Sequence, residues 1–263
     1  MGISIWWNVA RAALAGGFPV MARKVMRRVF PMRGQLTDSE NRAWLAQHAT
    51  SFDAWACARD AALHAEAQTF AAGLRADGER ILAGIPYALG GGGHYAALYF
   101  LARLCRPQVA METGVAAGFA SAAILTALEA NGDGGRLFSS DFPYFRLPNP
   151  ERYIGILVPE RLRARWTCML RGDEVNVPRS LAASGPIALF HYDSDKTYEG
   201  RHRTWLAVRE RLAPGASVLF DDIQDNSHFH DEVVPHYPGA WTVWPFEGKY
   251  VGCAGPFFSG AHG

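Results

Sequence analysis

Two short stretches bring together residue types that can polarise or deprotonate a hydroxyl group. Tyr192-Asp-Ser-Asp-Lys-Thr-Tyr198 supplies Asp193, Asp195 and Lys196, and Asp221-Asp222 follows further along. Each stretch ends an apolar run, Ile187–Tyr192 or Ser217–Phe220, that reads as a buried strand. Neighbouring parallel strands would set Asp193, Asp221 and Asp222 side by side, with Lys196 next to them. Three clustered carboxylates repel one another unless a cation neutralises them. An all-oxygen donor set suits Mg²⁺, Mn²⁺ or Ca²⁺ better than zinc. The three aspartates are therefore the candidate metal ligands, Lys196 the candidate base, and Asp193 its catalytic partner. The plainer alternative is that one or two of these acids cap the helices that follow. Asp195 is read as pointing elsewhere.

A second constellation lies upstream. Glu112-Thr-Gly-Val-Ala-Ala-Gly118 occupies a strand-to-helix turn, where Gly114 allows a tight bend and Gly118 allows the next helix to lie close. A dinucleotide fingerprint needs a middle glycine to admit a pyrophosphate. Here Ala116 takes that place and an acid, Glu112, precedes the turn, which suits an ammonium group better than a phosphate. Asp141 ends the following strand and could accept hydrogen bonds from two ribose hydroxyls. Asp173, in Arg171-Gly-Asp173, could face an adenine amino group or cap a helix.

These residues need a scaffold that carries them on one edge. From His94 onward, strand and helix patterns alternate: Val109–Thr113, a helix over Phe119–Ala130, then strands over Arg136–Asp141, Trp166–Leu170, Ile187–Tyr192 and Ser217–Phe220. A helix is expected over Trp205–Leu212, stopped by Pro214-Gly215. Trp241–Trp244 and Tyr250–Cys253 read as a terminal antiparallel pair. The pattern predicts an α/β, Rossmann-like, doubly wound, mostly parallel sheet of seven strands, with ligands beyond the carboxyl ends of its strands. Residues 1–90 read as an N-terminal helical appendage, with helix starts at Thr37-Asp38-Ser39-Glu40 and Ser51. The run Gly90–Gly93 reads as a hinge to a main domain over residues 91–263.

Together the motifs resemble those of class I S-adenosylmethionine-dependent methyltransferases from Tyr95 to about Phe229. Leu212-Ala-Pro-Gly-Ala-Ser-Val-Leu-Phe-Asp-Asp222 is similar to that family's Leu-x-Pro-Gly-Gly segment, with Ala216 for its second glycine. The resemblance implies S-adenosylmethionine as cofactor, with Glu112, Gly114 and Gly118 at its methionine part, Asp141 at the ribose, Asp173 at the adenine and Asp193 nearby. Asp193-Ser-Asp-Lys196 resembles the metal-dependent O-methyltransferases of the catechol and caffeoyl-CoA type. Asp221-Asp222 is similar to the macrolide-sugar enzymes. The implied activity is metal-assisted methylation of a hydroxyl on a small molecule or sugar. A hydroxylase of antibiotic biosynthesis on the same fold, and a non-catalytic cofactor-binding scaffold, are the alternatives.

Composition limits the rest. A formal net charge of +1 gives no molecule-wide attraction to nucleic acid. Cys57, Cys105, Cys168 and Cys253 are dispersed, as in a cytoplasmic protein with reduced thiols. No signal peptide or spanning helix is expected. No acid precedes Asp38, whereas Arg11, Arg23, Lys24, Arg27, Arg28 and Arg33 do. Residues 1–33 could therefore touch an anionic membrane surface, or pack on a partner subunit in a homo-oligomer or over the active site. His228 and His230, two apart, are expected at the surface or in a substrate pocket rather than on a metal.

Overall fold

Alternation along the central strands sends successive side chains to opposite faces, and both faces are apolar. Ala110, Leu189 and Leu219 enter one core cluster, while Met111, Phe190 and Val218 enter the other. A strand buried on both faces belongs in a parallel sheet covered by helices on each side. The computed structural model, which describes residues 32, 34–144 and 147–260, has that architecture.

Seven strands form the sheet: β1 (Val109–Thr113), β2 (Arg136–Ser140), β3 (Trp166–Met169), β4 (Ile187–Tyr192), β5 (Leu212–Phe220), β6 (Ala240–Phe246) and β7 (Lys249–Ser259). Their order is β3-β2-β1-β4-β5-β7-β6. The first five run parallel, and β7 pairs antiparallel with both β5 and β6. The order reverses between β1 and β4, which opens a crevice at their carboxyl ends.

The helices are α1 (Asp38–His48), α2 (Phe52–Arg59), α3 (Ala61–Leu82), α4 (Tyr95–Cys105), α5 (Phe119–Asn131), α6 (Asp173–Ala183) and α7 (Tyr198–Arg209). Thr37 and Glu40 form a reciprocal capping box on α1, and Ser51 caps α2, where the sequence placed helix starts. Residues 38–82, expected in the appendage, pack directly on the main core. Phe52, Ala56, Ala67 and Leu74 share one cluster with Leu98, Trp244 and Phe258. Thr50 N donates to the Val243 carbonyl at 2.8 Å, so this segment also covers the β6 edge of the sheet.

The Pro214-Gly215 expectation needs correction. Helix α7 starts earlier, at Tyr198, and ends at Arg209, and Leu212 already belongs to β5. Pro214-Gly215 lies inside that strand, at a register shift against β4 between Ile187 and Leu189. A bulge tolerates a proline without a ladder hydrogen bond. Phe145, Arg146 and the basic segment 1–31 with Arg33, including the proposed membrane or subunit contact, lie outside the described residues. No described helix is long and apolar enough to cross a membrane.

Candidate active site

The turn after β1 is built for close approach. Gly114 has φ +84°, and a Cβ there would lie 2.1 Å from the Asp193 carbonyl oxygen. Only glycine lets the β1 and β4 ends meet this closely. Asp193 N in turn donates to the Thr113 carbonyl at 2.8 Å. Ala116, where a dinucleotide fingerprint has glycine, is itself in the left-handed region at φ 50°. The loop keeps a glycine-like backbone without the glycine.

Asp141 holds this loop. Its Oδ2 accepts from Val115 N at 3.0 Å and Ala116 N at 2.7 Å, and its Oδ1 accepts from Phe142 N at 2.6 Å. Burial pushes its pKa up to about 6 despite those three donors. Asp173 opens α6 and accepts from Ser140 Oγ and Ser194 Oγ, each at 2.6 Å. Asn176, buried beneath, bonds Ser140 Oγ and the Asp141 and Met169 carbonyls, tying the ends of β2 and β3 together.

Above these groups lies a cleft of about 810 Å³, within the usual size of a small-molecule site. Gly114, Ala116, Asp141, Asp173 and Asp193 line it, with Phe142 and Tyr144 as aromatic walls. Tyr87, from the segment before α4, closes one side. Glu112 and Gly118 are not among its lining residues. Glu112 is fully buried, where its Oε1 accepts from Ser121 and from Ser139 Oγ at 2.7 Å. Gly118 instead admits the backbone of Gly155, 2.8 Å from where a Cβ would stand.

Residues 111–223 match a family described as a methyltransferase domain. The matched stretch is under half of the chain, and it is similar to that domain. The chain's seven-stranded sheet is that of the Rossmann-like methyltransferase fold. No curated protein sequence matches the chain. Among solved structures, the O-methyltransferase TomG from Streptomyces achromogenes, involved in tomaymycin synthesis and bound to S-adenosylmethionine, is 16% identical. The alignment covers 69% of this chain and 88% of that one, with a TM-score of 0.53. An O-methyltransferase from Bacillus cereus, bound to S-adenosylhomocysteine, is 14% identical over 74% of this chain and 90% of its own, with a TM-score of 0.50. At these identities the likeness is one of fold.

The acids lie beside the cleft. Asp193, Asp221 and Asp222 each present a carboxylate oxygen, and the three atoms lie within 4.8 Å of one another. Lys196 Nζ donates to Asp193 Oδ1 and contacts Asp222 Oδ2 at 2.8 Å. A second lysine was not anticipated from sequence. Lys249, at the start of β7, reaches Asp221 Oδ2 at 2.6 Å, Asp222 Oδ1 at 3.8 Å and the Gly92 carbonyl at 3.3 Å. Its only sequence signal was a cation just after a hairpin turn, Glu247-Gly248, between two strands that return to β5.

Burial and the neighbouring Asp193 push the Asp221 pKa up to about 6. Burial also works against ionised Asp222, but the Lys196 ammonium outweighs it and holds that carboxyl below its usual range. For Lys249, burial favours the neutral amine, and contact with Asp221 overrides it and raises the pKa. The donor set fits a hard divalent cation: three carboxylates converge, and the buried Asp221 Oδ1 has no hydrogen-bond partner. Asp195 instead accepts from Thr197 N and Oγ1 at the start of α7.

The Gly90–Gly93 run, expected as a hinge, is packed against this site. A Cβ on Gly93 would lie 3.0 Å from His191 Nε2 and 3.7 Å from Asp221 Cγ. His228 departs from expectation too. It is fully buried against Phe220 and Tyr198, neither ring nitrogen has a hydrogen-bond partner among the described residues, and burial lowers its pKa to about 2. The chain folds inward here, burying Ile223, Ser227, His228 and Phe229 together. His230 pairs with Asp231 at 2.7 Å and meets the edge of Trp44, away from the acids.

Proposed function

We propose that the chain is an O-methyltransferase that uses S-adenosylmethionine and a divalent cation to methylate a hydroxyl on a small molecule or sugar. One observation carries the reading: Asp193 both lines the cofactor-sized cleft and belongs to the three-aspartate cluster. A methyl donor in the cleft and a hydroxyl at the cluster would then face each other across one residue.

S-adenosylmethionine suits the cleft by its parts. Asp141 stands at the end of β2 for the ribose hydroxyls, Asp173 at the end of β3 for the adenine edge, and Phe142 and Tyr144 offer ring faces. Gly114 lines the cleft where the methionine portion would lie. Glu112 lies buried behind the loop, held by Ser121 and Ser139. Asp193, Asp221 and Asp222 would hold the cation, which lowers the pKa of a bound hydroxyl. In such a transfer the acceptor oxygen would attack the methyl carbon in line, the new O–C bond forming as the S–C bond breaks and the electron pair staying on sulfur. The hydroxyl proton would pass to the Asp193 carboxylate, or to Lys196 where the bound cation has left it as the neutral amine.

The test measures methyl transfer from S-adenosylmethionine to catechols and glycosides, before and after exhaustive chelation. Turnover is expected to vanish with EDTA and return with Mg²⁺ or Mn²⁺. Lys196→Ala should suppress it while leaving S-adenosylmethionine affinity nearly intact. Full turnover in metal-free protein would remove the cation from the reading.

A further inference from the structure

Three carboxylates face two ammonium groups in this cluster. Lys196 bridges Asp193 and Asp222, and Lys249 is bonded to Asp221 and lies near Asp222. With all five ionised, a single negative charge remains. The lysines are placed differently. Lys196 belongs to the loop after β4 and is three residues from Asp193, so it accompanies the acids in sequence. Lys249 comes from the antiparallel hairpin at the far side of β5. Its reach depends on β7 lying between β5 and β6, which sets it beside the glycine run at the Gly92 carbonyl.

Lys249 also has a second anchor, the Gly92 carbonyl, 3.3 Å away. Its ammonium can hold that carbonyl while its contact with the carboxylates loosens. A side chain fixed at both ends by carboxylates would lack such an alternative. The side chain is about one-fifth exposed, so water can take over its remaining hydrogen bonds.

We propose that Lys249 is an internal counter-cation that sets the affinity of the Asp193–Asp221–Asp222 cluster for divalent metal. It neutralises Asp221 when the cluster is empty, so a dication must compete with it. The cluster then holds metal weakly by itself and gains affinity when an acceptor oxygen adds a further negative ligand. This inference rests on the metal-assisted reading above and adds a determinant of its strength. Lys249 is a tuning residue and touches no reacting atom.

The experiment needs neither acceptor nor turnover. Mn²⁺ alone is titrated into the full-length protein, with free Mn²⁺ read by electron paramagnetic resonance and Mg²⁺ used as competitor. Wild type is compared with K249Q, which keeps a donor for Asp221 or Gly92, and with K249R, which keeps the charge. Removing one positive charge about 5 Å from a dication strengthens binding by at least about tenfold even under water-like screening. K249Q is therefore expected to bind Mn²⁺ at least about tenfold more tightly than wild type, and K249R to stay within a few-fold of wild type. Equal or weaker binding by K249Q beside a wild type that binds would overturn the proposal and leave the metal site intact. Absence of Mn²⁺ binding in all three proteins, each shown to be folded by circular dichroism, would overturn both the proposal and the metal site.

Discussion

Asp141 has two tasks in this structure, and a single substitution can separate them. Its carboxylate accepts two backbone N–H groups from the loop after β1 and one from Phe142, and it also faces the cleft. Burial nevertheless wins over those donors and moves its pKa from 3.8 to about 6. A shift of about 2 units corresponds to about 3 kcal/mol against the charged form. The sign follows from linkage. A carboxyl raised in the folded state contributes stability that is fully present below pH 4 and lost as pH rises through about 6. Asp141→Asn removes this titration. The stability of the variant relative to wild type should therefore rise by about 3 kcal/mol between pH 4 and pH 7. Urea unfolding of both proteins across that range measures it, and the contribution of Asp221, common to both, cancels. Calorimetry with S-adenosylhomocysteine at pH 7.5 should show the opposite trend, a loss of about 1.5–3 kcal/mol from weakened charge-assisted bonds to the ribose. Stability curves that stay parallel from pH 4 to 7 would refute the burial argument. Unchanged cofactor affinity would make Asp141 a loop clamp alone.

Two further substitutions probe the fold around the site. His228→Leu should stabilise the protein by about 1–2 kcal/mol at neutral pH, because it removes two buried nitrogens without partners. The gain should grow by about 2 kcal/mol from pH 6.5 to 5, since the unfolded histidine takes up a proton that the folded one, near 2, refuses; a pH-independent difference in urea midpoint would contradict this. Gly114→Ala should abolish S-adenosylhomocysteine binding and lower thermal stability, because its Cβ would meet the Asp193 carbonyl at 2.1 Å. Retained binding at wild-type affinity would show that the β1 and β4 ends can part freely.

The sheet was legible because its strands are short apolar runs with turn residues between them. Val109–Thr113, Arg136–Ser140, Trp166–Met169 and Ile187–Tyr192 fall where the pattern placed them. Pro214-Gly215 misled because proline normally ends regular structure, whereas a bulge in β5 absorbs it. Glycines 90–93 suggested flexibility, yet Gly92 and Gly93 are small because Phe119, His191 and Asp221 crowd them. Sequence spacing cannot distinguish a hinge from a tight contact. Lys249 was illegible for another reason: its contact with Asp221 crosses 28 positions and depends on strand order. His228 was misread because histidine is usually at least partly solvated, and only the packing of Phe220 and Tyr198 reveals its burial.

Asp221 and Asp222 are consecutive, and a continuing strand would send their carboxylates to opposite faces. Placing both beside Asp193 from the ends of neighbouring strands therefore needs a break in the alternation. The break is Asp222 itself, which adopts the left-handed conformation at φ 53°. That geometry costs a non-glycine residue about 1–2 kcal/mol, and the surroundings hold it in place. Arg201, almost fully buried, donates from Nη2 to the Asp222 carbonyl at 2.9 Å, with its guanidinium 5.5 Å from the Tyr192 ring. Among the described residues, Arg201 Nε and Nη1 have no hydrogen-bond partner, and the guanidinium is attached through Nη2 to Asp222. A buried guanidinium on that carbonyl, and the left-handed backbone at the residue it holds, together fix where the Asp222 carboxylate lies.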